Sequence, residues 1–179
     1  MVIDCGMIQV GGLHLAGIQD EPKSLKMIIG NKDSVAVELE VSNRGQYVMG
    51  FVRMWLNGRF LGSIEEEEML SSYVHSLEWI GRMEEIGAGE LDFGDAAAEF
   101  AWIQNDDSIH DRCLAGLGES TDDFLIRAYR KGDRLRFMWR LLDQPFHSYP
   151  GYGNELRCAD IRREEFLELV KVVRAEIDG

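Results

Sequence analysis

Val35, Val37, Leu39 and Val41 alternate with Ala36, Glu38, Glu40 and Ser42. A period of two predicts a half-buried strand with its glutamates facing water. Ahead of it, Met27-Ile28-Ile29-Gly30 reads as a short strand that ends in a turn at Asn31-Lys32-Asp33. Behind it, Asn43-Arg44-Gly45 turns the chain. Tyr47 to Leu56 is then apolar on both faces apart from Arg53, the pattern of a central strand covered on each side. Asn57-Gly58 supplies the two positive-φ positions of a tight hairpin, and Arg59 to Gly62 begins the return strand. Residues 27–63 therefore predict three or four antiparallel strands.

The period then changes. Leu70, Tyr73, Val74, Leu77 and Ile80 mark one face of a helix. The run Glu65 to Glu68 just before them is expected in its first turn, where the helix dipole favours negative charge. Residues 84–123 are irregular and glycine-rich, with a short helix predicted from Asp95 through Phe100, Trp102 and Ile103 and an acidic loop at Glu119-Ser120-Thr121-Asp122-Asp123. Phe124, Ile126 and Ala128, a turn at Lys131-Gly132-Asp133, then Leu135, Phe137, Trp139 and Leu141 predict a hairpin with an apolar inner face. Its outer face carries Arg127, Arg134, Arg136 and Arg140, expected to pair with the chain's own acids on a solvated surface. Pro145 to Gly153 reads as loop, Glu155 to Cys158 as a short strand, and Asp160 as the N-cap of a last helix striped by Phe166, Leu169, Val170, Val173 and Ile177. Segregated antiparallel strands with two main packing helices make the fold class α+β, a single domain.

Length and composition bound this picture without changing it. The chain has 179 residues, 45% hydrophobic and 28% charged, enough for one real core, and no apolar run long enough to span a bilayer. Charge changes the picture more. The formal net charge of −13 excludes a general basic surface for nucleic acid. Residues 1–63 hold 6 acidic and 6 basic side chains, residues 64–123 hold 17 and 2, and residues 124–179 hold 9 and 11. The acidity belongs to one loop-rich block. Such a block repels itself, and a basic protein partner would complement it. The candidate partner-binding residues are Glu65, Glu66, Glu67, Glu68, Asp92, Asp95, Asp106, Asp107, Asp122 and Asp123. Asp106, Asp107, Asp122 and Asp123 are preferred, because the Glu65–Glu68 run has a competing role at a helix start.

Candidate chemistry is sparse. The sequence has no Gly-x-Ser-x-Gly, P-loop, Gly-x-Gly-x-x-Gly or His-Glu-x-x-His, so neither an enzyme nor a cofactor is predicted. Cys5, Cys113 and Cys158 show no paired spacing, and His110-Asp111-Arg112-Cys113 is too short a pattern for a metal site. Unpaired cysteines and the lack of a signal-peptide pattern point to the cytoplasm. Residues 1–26 are weakly patterned and read as a leader or upstream extension, with residues 27–179 as the domain. A 27–179 fragment is expected to keep the thermal midpoint of the full chain; a fragment that does not fold would show that the leading segment supplies core contacts.

Four stretches carry a family resemblance. They are Met27-Ile28-Ile29-Gly30-Asn31-Lys32-Asp33-Ser34, Val35-Ala36-Val37-Glu38-Leu39-Glu40, Gly50-Phe51-Val52-Arg53-Met54-Trp55-Leu56-Asn57-Gly58, and Leu61-Gly62. Over residues 27–80 they resemble the opening of immunity family forty-two of bacterial polymorphic toxin systems. The chain departs from that pattern in residues 1–26 and in the acidic segment 84–123. The resemblance implies a small cytoplasmic protein that binds and neutralises a cognate toxin domain, with no catalytic residues to carry over. Independently of the family, the charge suggests an acidic mimic of a phosphate backbone, and hence a nuclease as the toxin. A small acidic secretion chaperone or adaptor, and an enzyme with a diffuse carboxylate site in residues 84–123, are the competing readings. The oligomeric state is left open.

Overall fold

The computed structural model describes residues 26–86, 95–113 and 115–179. The expected leader at residues 1–26 lies outside this range except for Lys26, and Asp92 lies outside it altogether. The first sheet is antiparallel, in the order β1 (Lys26–Gly30), β2 (Val35–Arg44), β3 (Val48–Leu56) and β4 (Arg59–Leu61). A two-residue strand, β5 (Glu68–Met69), also pairs with β3. Asn57 and Gly58 make the β3–β4 turn with φ of 47° and 75°. The second sheet is antiparallel, β6 (Phe124–Lys131), β7 (Arg134–Leu141) and β8 (Arg157–Arg162).

Two helices, α1 (Leu70–Gly81) and α4 (Arg163–Asp178), bury the two predicted stripes. Val37, Leu39, Val52 and Met54 of the first sheet and Ile126, Leu135, Phe137 and Ile161 of the second join them in one continuous core. The Phe137 and Phe166 rings, 5.7 Å apart, tie the second sheet to α4. Two shorter helices, α2 (Ala96–Asn105) and α3 (Asp107–Cys113), cover the other face of the second sheet over a smaller cluster that includes Phe100, Ile103, Ile109, Tyr129 and Met138. Among the described residues no helix is long and apolar enough to cross a membrane.

Four expectations are corrected. The arginine face of the hairpin is solvated only in part: Arg134 is exposed and Arg136 pairs with Asp160 as expected, but α2 and α3 cover the rest. Arg127 is buried and donates from Nη2 to His110 Nε2 at 2.6 Å, and Arg136 reaches buried Glu99 at 3.1 Å. The glutamate face of β2 is not wholly solvated either: Glu38 is buried beneath Lys26, Lys32 and Arg53. Only one face of β3 is fully buried, and Phe51, Arg53 and Trp55 on the other are partly exposed. Asp160 lies within β8 and caps nothing; α4 begins after Arg162 without a side-chain cap.

Candidate functional site

Glu65 to Glu68 precede α1 rather than opening it, which corrects the predicted helix-start role. Glu68 pairs with Gly50 in a bridge to β3, and the first turn of α1 starts only at Leu70. The run is thereby laid beside the second acidic stretch. Ser63 N–H donates to the Ser120 carbonyl at 2.7 Å, and Glu119 to Thr121 form a single 3-10 turn. Glu66, Glu119, Asp122 and Asp123 then line one pocket of about 320 Å³ together with Phe146 and His147.

Each wall of this pocket has a local cause. Asp123 is 1% exposed, and its carboxylate accepts from Phe146 N–H at 2.5 Å, His147 N–H at 2.9 Å and the Tyr149 hydroxyl at 2.9 Å. Burial opposes its charge, but those donors outweigh burial and hold the carboxyl below its ordinary range. Asp123 therefore positions the 145–149 loop rather than presenting a free charge. Tyr149 and Tyr152 fix the same loop by packing against Phe60 of β4 and Phe124 of β6, at ring distances of 5.0 to 6.3 Å. Phe146 is left 86% exposed at the pocket rim. A large apolar side chain held in water by an ordered loop is the kind of group that anchors an interface. The imidazole of His147 lies 3.3 Å from Glu65 and 3.2 Å from Glu66.

The other predicted site residues lie elsewhere. Asp95 N-caps α2, accepting from Ala97 N–H at 3.1 Å. Asp106 accepts from the Ser108 hydroxyl and N–H at the α2–α3 junction, bonds that lower its carboxyl pKa, and Asp107 is exposed in the first turn of α3. These three belong to the layer over the second sheet and do not line the pocket. Glu67 is exposed and accepts from the Ser42 hydroxyl, which ties the run to the end of β2. The sequence reading missed Glu119 as a candidate, and with it Phe146 and His147. The signal for Phe146 was present: between Pro145 and Pro150 there is no strand or helix face on which to bury a ring.

Among the described residues no group of three or more His, Cys, Asp or Glu side chains is arranged to hold a metal ion. The pocket offers negative charge beside an exposed ring, which suits recognition of a cationic surface. The family described as Immunity protein 42 matches residues 27–175, from the second residue of β1 into the last turn of α4. The chain belongs to the Immunity protein 42 family. Its fold is similar to that in the crystal structure of CdiI from Burkholderia dolosa AUO158, with a TM-score of 0.61 over 84% of this chain and 99% of that one. At 14% identity the likeness is one of fold alone. No curated protein matches the sequence. Membership in Immunity protein 42 supports a toxin-neutralising function, exercised by binding a toxin protein, and the matched range takes in every wall of the acidic pocket.

Proposed function

We propose that this Immunity protein 42 member neutralises its cognate toxin domain by placing the acidic pocket against a basic surface of the toxin, with Phe146 as the apolar anchor. The observation that carries this reading is convergence. Two acidic runs far apart in the sequence meet in one pocket beside a ring that is 86% exposed. Glu66, Glu119 and Asp122, with Glu65 beside them, supply the charge that attracts the partner, while Asp123 holds the loop that presents Phe146. Glu67, Asp95, Asp106 and Asp107 extend the acidic field around the domain, and Asp92 adds to the charge of the same sequence block. A nuclease fits this charge best, because a cleft that binds phosphates is basic. The protein acts in the cytoplasm of the producing cell, and residues 1–26 stand outside the domain that binds.

The test is affinity for the toxin co-purified from the native operon. Neutralising Glu66, Glu119 or Asp122 with the isosteric amide is expected to lower affinity by about 1 kcal/mol each, chiefly through a slower association rate with a reduced salt dependence. Phe146→Ala is expected to remove about 2 kcal/mol or more, mainly as faster dissociation. Unchanged affinity and salt slope across the series, with Phe146→Ala binding normally, would refute this surface and place the interface elsewhere on the domain.

A further inference from the structure

The loop that carries Glu119 and Asp122 rests on a buried acid. Glu68 is 5% exposed, and its carboxyl lies so close to Gly118 that a Cβ there would sit 2.0 Å from Oε2. Gly118 also has a φ of 113°, so both its backbone and its missing side chain are needed for this approach. Tyr73 of α1 and Ser120 of the loop complete the surroundings. Glu68 Oε1 and Tyr73 Oη are each buried without a hydrogen-bond partner among the described residues. Glu119 and Asp122 are the charged neighbours that act on Glu68, and both line the pocket. The remaining titratable groups lining the pocket are Glu66, Asp123 and His147, with Glu65 3.3 Å from the His147 ring. Among the described residues no cation pairs with Glu68.

We propose that Glu68 is a proton-linked positioning residue of the acidic pocket: a cationic group of the partner entering the pocket expels the proton from Glu68 to solvent, and so binds more tightly as that proton is lost. The proposal rests on the assignment of the pocket as the partner-binding surface. A cation seated between Glu119 and Asp122 is attracted through the loop to an ionised Glu68 as well. Cation and proton therefore compete, and by linkage each weakens the other. In the free protein burial, reinforced by the charges of Glu119 and Asp122 and opposed by the nearness of Ser120, pushes the carboxyl up to about 7. Near neutral pH the acid is thus divided between its two forms, and an incoming charge has a population to shift.

Hexa-arginine peptide, titrated into the full chain at constant ionic strength, is the probe. Its affinity for the wild-type protein is expected to rise about five-fold between about pH 6 and about pH 8, with proton release detected by calorimetry in two buffers of different ionisation enthalpy. Glu68→Gln, which keeps the shape of the neutral acid, should bind the peptide with little of that pH dependence. His147→Asn should retain most of it. Loss of the slope in His147→Asn and its survival in Glu68→Gln would overturn the proposal and assign the linkage to the imidazole. A ¹³C titration of the Glu68 carboxyl in the unmutated chain needs no variant: its midpoint should fall by about one pH unit when the peptide is added, and an unmoved midpoint also overturns the proposal. The pocket assignment fails separately. If a Glu119→Gln/Asp122→Asn double variant binds the peptide as tightly as wild type, the pocket is not the cation site.

Discussion

Replacing Trp139 with alanine is expected to lower the stability of the fold by about 3–5 kcal/mol. The indole is 1% exposed and sits in the continuous core on β7, opposite Ile126. Its removal leaves a cavity in a region where the strands of the second sheet and the 145–153 loop are already locked together, so collapse around the gap is limited. The indole N–H also donates to Tyr152 Oη at 2.8 Å, and that hydroxyl donates in turn to the Phe60 carbonyl at 2.8 Å. Trp139 thus begins a relay from the second sheet through the 145–153 loop to the first. Urea unfolding of the alanine variant measures the sum of both effects. Trp139→Phe removes the donor but leaves a much smaller cavity than alanine does, so about 1–2 kcal/mol is expected. Because Tyr149 and Tyr152 fix the loop that carries Phe146, weaker toxin binding should accompany the loss of stability in Trp139→Ala.

Glu38→Gln is expected to destabilise the protein by about 2–3 kcal/mol at neutral pH. Burial alone would raise this carboxyl, but hydrogen bonds from Lys26, Arg53 and Trp55 and the Arg53 charge overcome it and hold the pKa at about 2. The bonds are specific: Lys26 Nζ at 2.5 Å, Arg53 Nε at 3.0 Å and Trp55 Nε1 at 2.8 Å, with Lys32 at 3.3 Å. Lys26 and Lys32 remain partly exposed, so the cover over Glu38 is one side chain deep and solvent screening trims the effect. A carboxyl depressed in the folded state contributes stability that is fully present above its ordinary value near 4.5 and is lost as pH falls towards about 2. The difference in urea midpoint between wild type and Glu38→Gln should therefore be large at neutral pH and shrink across that acid window. An equal difference at both ends would show that the glutamine acts through packing and not through charge. The amide also leaves three cations gathered around one neutral group, with Lys32 3.8 Å from the centre of the Trp55 ring.

Local sequence determined the elements whose pattern is long and whose turns are chemically constrained. The stripes Leu70–Ile80 and Phe166–Ile177 became α1 and α4, because a helix buries one face whatever it packs against. Asn57-Gly58 became the β3–β4 turn, because few other residues accept its positive φ values. The alternating runs on either side of Lys131-Gly132-Asp133 became β6 and β7 in the expected pairing. The resemblance over residues 27–80 pointed to the family, and the family match extends to residue 175.

Tertiary structure decided what the second face of each element meets, and so it decided every charged group that matters. An arginine on a strand reads the same whether water or a helix lies over it; α2 and α3 made Arg127 a buried residue. A glutamate in an alternating strand reads as solvated, yet three cations from β1, the following turn and β3 close over Glu38. The acidic block was visible as charge, but charge along a chain carries no information about which carboxylates converge. The β5 bridge to β3 and the Ser63–Ser120 hydrogen bond brought residues 65–68 to residues 119–123, buried Glu68 behind them, and left Asp95, Asp106 and Asp107 on another layer. Periodicity is a property of neighbours a few residues apart and survives in the sequence; burial and electrostatic coupling are set by contacts between residues tens of positions apart, which exist only once the chain has folded.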